Sequence, residues 1–306
     1  MKNAASNILR IKSVAQQHQL LSLPQPEHPL VSIIRFEDFP VIVNPSTLKF
    51  SMDFYTVTIK KNCDCKIKYG QTHYDFDGGV MSFTAPEQLL AFEGDLKPPP
   101  SGWQLSFHPD FIRNYALGKK IKEYGFFHYA MNEALILSEK EEASIENLFK
   151  NIANEYYLPI DNFSQDVIVS QLELLLTYCN RYYNRQFITR KIPINDLLTK
   201  METLLTAYFN GNKIAAEGLP SVTYLAGQLN MSAKYLSDTL RSLTGQSAQQ
   251  HIQNQLMEKA KQTLATTNLS VSEIAYGLGF EYPQSFNKLF KKKTNLSPLE
   301  FRQSFN

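Results

Sequence analysis

Ser221-Val-Thr-Tyr-Leu-Ala-Gly-Gln-Leu-Asn-Met-Ser-Ala-Lys-Tyr-Leu-Ser-Asp-Thr-Leu-Arg241 is echoed later in the chain by Ser270-Val-Ser-Glu-Ile-Ala-Tyr-Gly-Leu-Gly-Phe-Glu-Tyr-Pro-Gln-Ser-Phe-Asn-Lys-Leu-Phe290. Leu225-Ala226 returns as Ile274-Ala275 and Leu229 as Leu278, at an offset of 49. Beyond the turn the offset is 50, pairing Leu236 with Phe286, Leu240 with Phe290, Thr244 with Thr294 and Ser247 with Ser297. One residue has been inserted in the second turn, and the register otherwise holds. An internal repeat of this kind signals one supersecondary unit used twice.

Each copy reads as helix, tight turn, helix. Ser221 and Ser270 stand at N-cap positions, the second reinforced by Glu273 three residues on. Ala226 and Ala275 are small where two helices must cross closely. Asn230-Met-Ser232 and Gly279-Phe-Glu281 fill the turns, and Asn and Gly tolerate the positive φ that such turns need. The second helices are expected to be buried through Tyr235, Leu236 and Leu240, and through Phe286, Leu289 and Phe290, with Pro283 suited to a first helical turn. A connecting helix over about His251 to Thr266 would run ~24 Å at 1.5 Å per residue. With the width of the helices added, that suits two elements in major-groove segments ~34 Å apart.

Outside the repeat, the chain is an ordinary folded one of 306 residues, 43% hydrophobic, 20% charged and 12% aromatic. That length is about two domains at ~150 residues each. Collagen-like, disulfide-scaffold and disordered classes are excluded by composition. No apolar run approaches the ~20 residues of a membrane span, and Met1-Lys-Asn-Ala-Ala-Ser-Asn7 lacks a secretory apolar stretch. Three cysteines, Cys63, Cys65 and Cys179, cannot form a disulfide framework, so a reducing cytoplasm is the expected compartment. The net charge of +2 is uneven: residues 213–306 carry ten Lys and Arg against six Asp and Glu, leaving the rest at −2.

Upstream, a short helix is expected near Ile8 to Gln17. From Leu30 to about His108 short β-branched and aromatic runs alternate with turns: Val31-Ser-Ile-Ile34, Val41-Ile-Val43, Phe54-Tyr-Thr-Val-Thr-Ile59, Val80-Met-Ser-Phe-Thr84 and Trp103-Gln-Leu-Ser-Phe107. This spacing predicts an antiparallel sandwich or barrel. Ser138-Glu-Lys-Glu141 has capping-box spacing, and Ile145, Leu148, Phe149, Ile152 and Tyr156 follow at helical intervals. A helix over about Ser164 to Tyr183 sets Ile168, Leu172, Leu175, Leu176, Cys179 and Tyr183 on one face, beside Val167, Leu174, Tyr178 and Tyr182. A helix with so wide an apolar surface is either central to its domain or shared with a second subunit, and the shared reading puts Leu175 and Leu176 at the contact. Arg190-Lys-Ile-Pro193 reads as a linker. The next helix buries Leu197, Leu198, Met201, Leu204, Leu205 and Tyr208 and is expected to end on a left-handed residue at Asn210-Gly211.

Residues Leu219 to Asn306 resemble the DNA-binding domain of AraC/XylS-type transcription regulators. The resemblance rests on Leu269-Ser-Val-Ser-Glu-Ile-Ala-Tyr-Gly-Leu-Gly-Phe280, Ser285-Phe-Asn-Lys-Leu-Phe-Lys291, Thr294-Asn-Leu-Ser-Pro298 and Phe301-Arg302. It implies base reading from the exposed side of each second helix: Lys234, Ser237 and Asp238 with Arg241 in the first unit, Gln284, Asn287 and Lys288 with Lys291 and Lys292 in the second. Gln and Asn pair with adenine, Lys reaches guanine, and Asp accepts from cytosine. Arg241, Lys291, Lys292 and Lys293 suit phosphate, which gives affinity and register. The chain departs from the resemblance at Lys288, where Arg is common, at Asp238, where a base is common, at Asn295 for Gly and at Leu256 for Arg.

The resemblance further implies an α+β chain in three parts. An antiparallel, cupin-like β-barrel over 1–137 senses a signal, a helical region over 138–190 dimerises, and an all-α domain over 191–306 carries the two helix-turn-helix units. Its partners would be double-stranded DNA, a second copy of the chain, RNA polymerase and a small-molecule effector, with no cofactor and no membrane. Phe54, Tyr55, Tyr69, Tyr74, Phe76 and Trp103 are the aromatics available to line a barrel mouth. One alternative is a regulator whose first part binds a protein instead of an effector; another is a metal-dependent barrel enzyme with a DNA-binding tail. Against the enzyme, His73, His108 and His128 are isolated, no His-x-His occurs, and Cys63-Asp-Cys65 lacks the second pair of a zinc site. No phosphate loop or nucleophile elbow is present.

Overall fold

The computed structural model describes residues 8–38, 47–61, 68–69, 72–73, 79–93, 101–189, 194–211 and 213–304. Val41 to Val43, Cys63, Cys65, Tyr74, Phe76 and the linker Arg190 to Pro193 lie outside them, as do the side chains of Tyr69 and His73. The chain divides into two compact units, 1–186 and 187–306. No helix among the described residues is long and apolar enough to cross a membrane.

The first unit is β-rich. Its strands are β1 (Leu9–Ile11), β2 (Val31–Arg35), β3 (Thr47–Met52), β4 (Tyr55–Lys61), β5 (Lys68–Tyr69), β6 (Thr72–His73), β7 (Val80–Thr84), β8 (Leu90–Glu93), β9 (Ser101–Phe107) and β10 (Leu135–Ile136). Five of them form an antiparallel sheet in the order β10-β7-β4-β9-β2. A second sheet, β1-β3-β8, contains one parallel pair, β1 with β3, and β5 pairs with β6 in a hairpin.

Ile8 to Gln17 is not one helix. Leu9–Ile11 pairs with Phe50 to Met52, and the helix α1 (Val14–Leu20) begins only after Ser13, whose hydroxyl accepts from the Gln16 amide at 3.1 Å. The strand partner lies some forty residues away, so periodicity within the segment carried no sign of it.

Alternation gives the five-stranded sheet two chemically different faces. Ile33, Leu105, Val57 and Phe83 form one cross-strand row, all buried, with Phe126 and Phe127 packed on Phe83. The opposite row is Ser32, Ser106, Thr56 and Thr84, equally buried but hydroxylic. Here α1 meets the sheet through polar contacts: the Ser106 hydroxyl donates to Gln17 Oε1 at 3.1 Å, and His18 Nε2 bonds Ser32 Oγ at 2.6 Å.

Short helices α2 (Pro109–Ile112) and α3 (Ala116–Lys120) lead to α4 (Glu139–Tyr156) and α5 (Ser164–Thr189). The predicted capping box starts α4, with the Ser138 amide donating to Glu141 Oε2 at 2.9 Å. Ile145, Leu148, Phe149, Ile152 and Tyr156 are all buried, as read from their spacing. On α5 the Cys179 thiol lies 3.9 Å from Met81 Sδ in the sheet, and burial pushes its pKa up. Leu175 and Leu176 are both 0% exposed inside their own unit, so they are core residues and not the subunit contact expected of them. The face left open on α5 carries Val167 and Leu174, one heptad apart.

The second unit is all-helical: α6 (Ile194–Asn210), α7 (Lys213–Glu217), α8 (Val222–Gln228), α9 (Ala233–Thr244), α10 (Ala248–Thr266), α11 (Val271–Gly277), α12 (Pro283–Thr294) and α13 (Pro298–Gln303). One core joins Leu197, Met201 and Leu205 of α6 to both repeats and to the α10 stripe Ile252, Leu256, Ala260 and Leu264. Gly211 does not take the left-handed conformation expected at the end of α6. The chain turns into α7 instead, and the left-handed glycine is Gly218 at the end of that helix, with φ +75°.

Candidate nucleic-acid interface

The two repeats superpose in their hydrogen bonding as well as in their sequence. Ser221 Oγ accepts from the Tyr224 amide at 3.0 Å to open α8, and Ser270 Oγ accepts from the Glu273 amide at 3.2 Å to open α11. The Ser270 hydroxyl and amide together hold the Glu273 carboxyl below the usual carboxylate range. Ala226 and Ala275, at 1% and 0% exposure, fill the crossing points.

The turns run alike. The Met231 amide donates to Ala226 O at 2.9 Å and the Phe280 amide to Ala275 O at 3.0 Å, closing the chain around Asn230 (φ +55°) and Gly279 (φ +82°). Gly279 has a second constraint: a Cβ there would lie 3.0 Å from Ile214 Cγ2 and 3.2 Å from the Leu219 amide. The inserted residue is Glu281. It delays the second helix by one position, where Tyr282 caps without a side-chain bond and Pro283 has no N–H to satisfy. In the first copy Ser232 Oγ does that work, accepting from the Tyr235 amide at 3.2 Å.

The exits match too. Thr244 Oγ1 donates to Leu240 O and Thr294 Oγ1 to Phe290 O, both at 2.8 Å. Left-handed residues follow, Gly245 (φ +74°) and Asn295 (φ +64°), and then serine caps at Ser247 and Ser297. Asn295 therefore adopts the backbone conformation for which glycine is favoured. The connector α10 starts at Ala248, three residues before the sequence placed it, because Ser247 and Gln250 form a capping box. Its 19 residues give ~28 Å at 1.5 Å per residue.

The second helices differ in what they present. On α12, Gln284, Asn287, Lys288, Lys291, Lys292 and Lys293 are all exposed, while Phe286 and Phe290 are fully buried and Leu289 is half-buried. On α9, Arg241 is exposed but Lys234, Ser237 and Asp238 are half-buried. Asp238 Oδ1 accepts from Lys234 Nζ at 2.9 Å and from Arg241 Nη1 at 3.3 Å. From sequence alone, Lys234 and Asp238 are taken as readers and Arg241 as a phosphate contact, each by itself, although their i, i+4 and i, i+3 spacing allows the pairing. Arg302, named from sequence only as part of the resemblance, has a structural contact that the sequence does not reveal: its guanidinium donates to Leu264 O at 3.2 Å and Leu269 O at 2.6 Å and ties α13 to the end of the connector. Leu256, where the resemblance would put Arg, is buried in the core.

Among the described residues, the candidate small-molecule side chains Phe54, Tyr55 and Trp103 are not gathered together. Phe54 sits in a small cluster with Ile11, Val14, Phe50 and Met52, and Tyr55 packs on Phe107 and Phe127. Of the three whose side chains are described, Trp103 alone borders a cavity of about 330 Å³, where the Arg35 guanidinium lies 5.5 Å from its ring centre. Lys61 and Lys150 there pair with Glu146, and Arg35 with Glu37. His108 caps α2 by accepting from the Asp110 amide at 3.2 Å, and His128 is exposed. Among the described residues no three His, Cys, Asp or Glu converge as a metal site would require.

The family model for a helix-turn-helix domain matches residues 225–304. Over 140 residues the chain is 27% identical to the HTH-type transcriptional activator RhaS of Escherichia coli, with 46% of each chain covered. Over 79 residues it is 29% identical to histidine kinase P4 of Formosa agariphila, covering 26% of this chain and 6% of that one. The chain therefore spans less than half the length of either curated relative. A solved structure, the C-terminal domain of the two-component response regulator yesN from Fusobacterium nucleatum, is 28% identical with a TM-score of 0.29, covering 33% of this chain and 93% of that one. With its duplicated helix-turn-helix and the match over residues 225–304, this chain carries a helix-turn-helix domain like that of AraC/XylS-type transcription regulators.

Proposed function

We propose that the protein binds double-stranded DNA sequence-specifically, with α9 and α12 entering successive major-groove segments and the first unit sensing a signal. The observation that carries this is the pair of geometrically equivalent helix-turn-helix units on one rigid connector, with base-reading side chains exposed on α12. Gln284 and Asn287 can each make two bonds to adenine, and Lys288 reaches guanine. Gln284→Ala is expected to relax preference at one base pair by about 1–3 kcal/mol. Selection from a randomised duplex library checks it, and an unchanged preference at every position would remove Gln284 from the interface.

The sensory reading is supported by the β-rich build of the first unit, whose five-stranded antiparallel sheet is the kind of frame that the resemblance links to signal binding. A cupin-like barrel over 1–137 would enclose a small-molecule effector.

Dimerisation fits the exposed α5 stripe, where Val167 and Leu174 are 36% and 47% exposed. Leu174→Lys is expected to halve the sedimentation mass while leaving the fold intact, because the side chain lies outside its unit's core. An unchanged mass would exclude this face.

A further inference from the structure

The two recognition helices are built on opposite electrostatic plans. Asp238 on α9 occupies the position that Lys288 holds on α12, at the repeat offset of 50, so the charge is reversed at one structural site. The Asp238 carboxylate is 16% exposed and pairs with Lys234 and Arg241 at 2.9 and 3.3 Å, on either side of it along the helix. These three side chains sum to +1. On α12, Lys288, Lys291, Lys292 and Lys293 sum to +4, and the helix carries no acid.

We propose that Asp238 is a charge clamp that makes α9 a discriminating but weakly binding reader and leaves α12 to supply most of the backbone affinity. This rests on the reading that the paired units bind DNA. Asp238 holds Lys234 and Arg241 toward itself and cancels one of their two positive charges, so α9 attracts the phosphodiester backbone less than two free cations would. A base pair offsets the cost of that negative charge where it offers an amino group, and the partner suited to aspartate in the major groove is cytosine N4. The first half-site is therefore expected to require cytosine beneath Asp238, and unrelated DNA to be penalised there. Arg241, on the outer turn, is the first cation freed when the clamp opens.

The test uses the full chain, titrated into a random-sequence duplex and into the best selected duplex, from about 50 to 200 mM salt. Asp238→Asn keeps the shape and the hydrogen bonding but removes the charge. It is expected to raise affinity for the random duplex by about 3- to 10-fold and to steepen its dependence on log salt by about one. Discrimination between the two duplexes should fall correspondingly. Unchanged affinity and slope, or equal weakening on both duplexes, would overturn the clamp. Asp238→Ala, with unfolding followed by circular dichroism, separates loss of charge from loss of fold. Lys291→Gln is the control on the underlying reading. If it weakens binding while Asp238→Asn changes nothing, only the clamp fails. If the wild-type chain binds neither duplex, DNA binding itself has failed, and the clamp with it.

Discussion

Replacing Lys291, Lys292 and Lys293 together by glutamine is expected to lower DNA affinity by on the order of a hundredfold or more at ~0.1 M salt, and to flatten the salt dependence by about 2–3 in log–log slope. The three lysines are exposed at the end of α12, and the same helix's Phe286 and Phe290 are anchored in the core, so the cations are held on a fixed platform. Each phosphate neutralised releases condensed counterions, which gives a slope of about 0.9 per contact. Cations at a helix C-terminus also favour the helix dipole. If that were their whole role, the triple variant would lose a little stability and no DNA affinity. Anisotropy titrations at several salt concentrations, together with a melting curve, distinguish the two. An unchanged slope would show that α12 does not approach the backbone with this end.

Phe290→Ala is expected to destabilise the second unit by about 3–5 kcal/mol. The ring is 0% exposed, and its centre lies 5.6 Å from that of Phe286 and 5.4 Å from that of Phe301, so truncation leaves a void that rigid neighbours cannot close. A loss of that size consumes much of the stability of a small domain, which is typically about 5–15 kcal/mol. Because the first unit has a separate core, denaturant unfolding should show an early transition for residues 187–306 and an unshifted one for the remainder. A shift below about 1 kcal/mol would mean that the α12 core relaxes, and that its recognition face is less fixed than the packing suggests.

The second unit was readable because its determinants are local. Capping serines, small residues at helix crossings, left-handed turn residues and an apolar repeat all lie within a few positions of the elements they shape. Duplication then checked each feature against a second copy. The first unit was readable only where strands were long and alternating, as at Val31–Arg35 and Ser101–Phe107. The strand at Leu9–Ile11 was read as helix because its partner, Phe50 to Met52, is remote in sequence. Leu175 and Leu176 were assigned to a subunit contact because a helix with a wide apolar surface does not reveal which part its own sheet covers. The expectation for Gly211 failed for a different reason, since a second short helix follows directly and places the left-handed residue later. On α9 the i, i+3 and i, i+4 spacing of Lys234, Asp238 and Arg241 allows a mutual pairing that a reading of each residue as a separate DNA contact leaves out.

The most direct test of the account is selection of genomic fragments by the full-length protein at one fixed salt concentration, followed by sequencing of what is retained. Two conserved segments one helical turn apart, about 10 bp centre to centre, are the expected result, one for each helix-turn-helix unit. The segment read by α12 should be lost first when Gln284 is replaced. Retention of fragments with no common motif, or of a single segment unaffected by changes on α12, would contradict paired reading of the major groove.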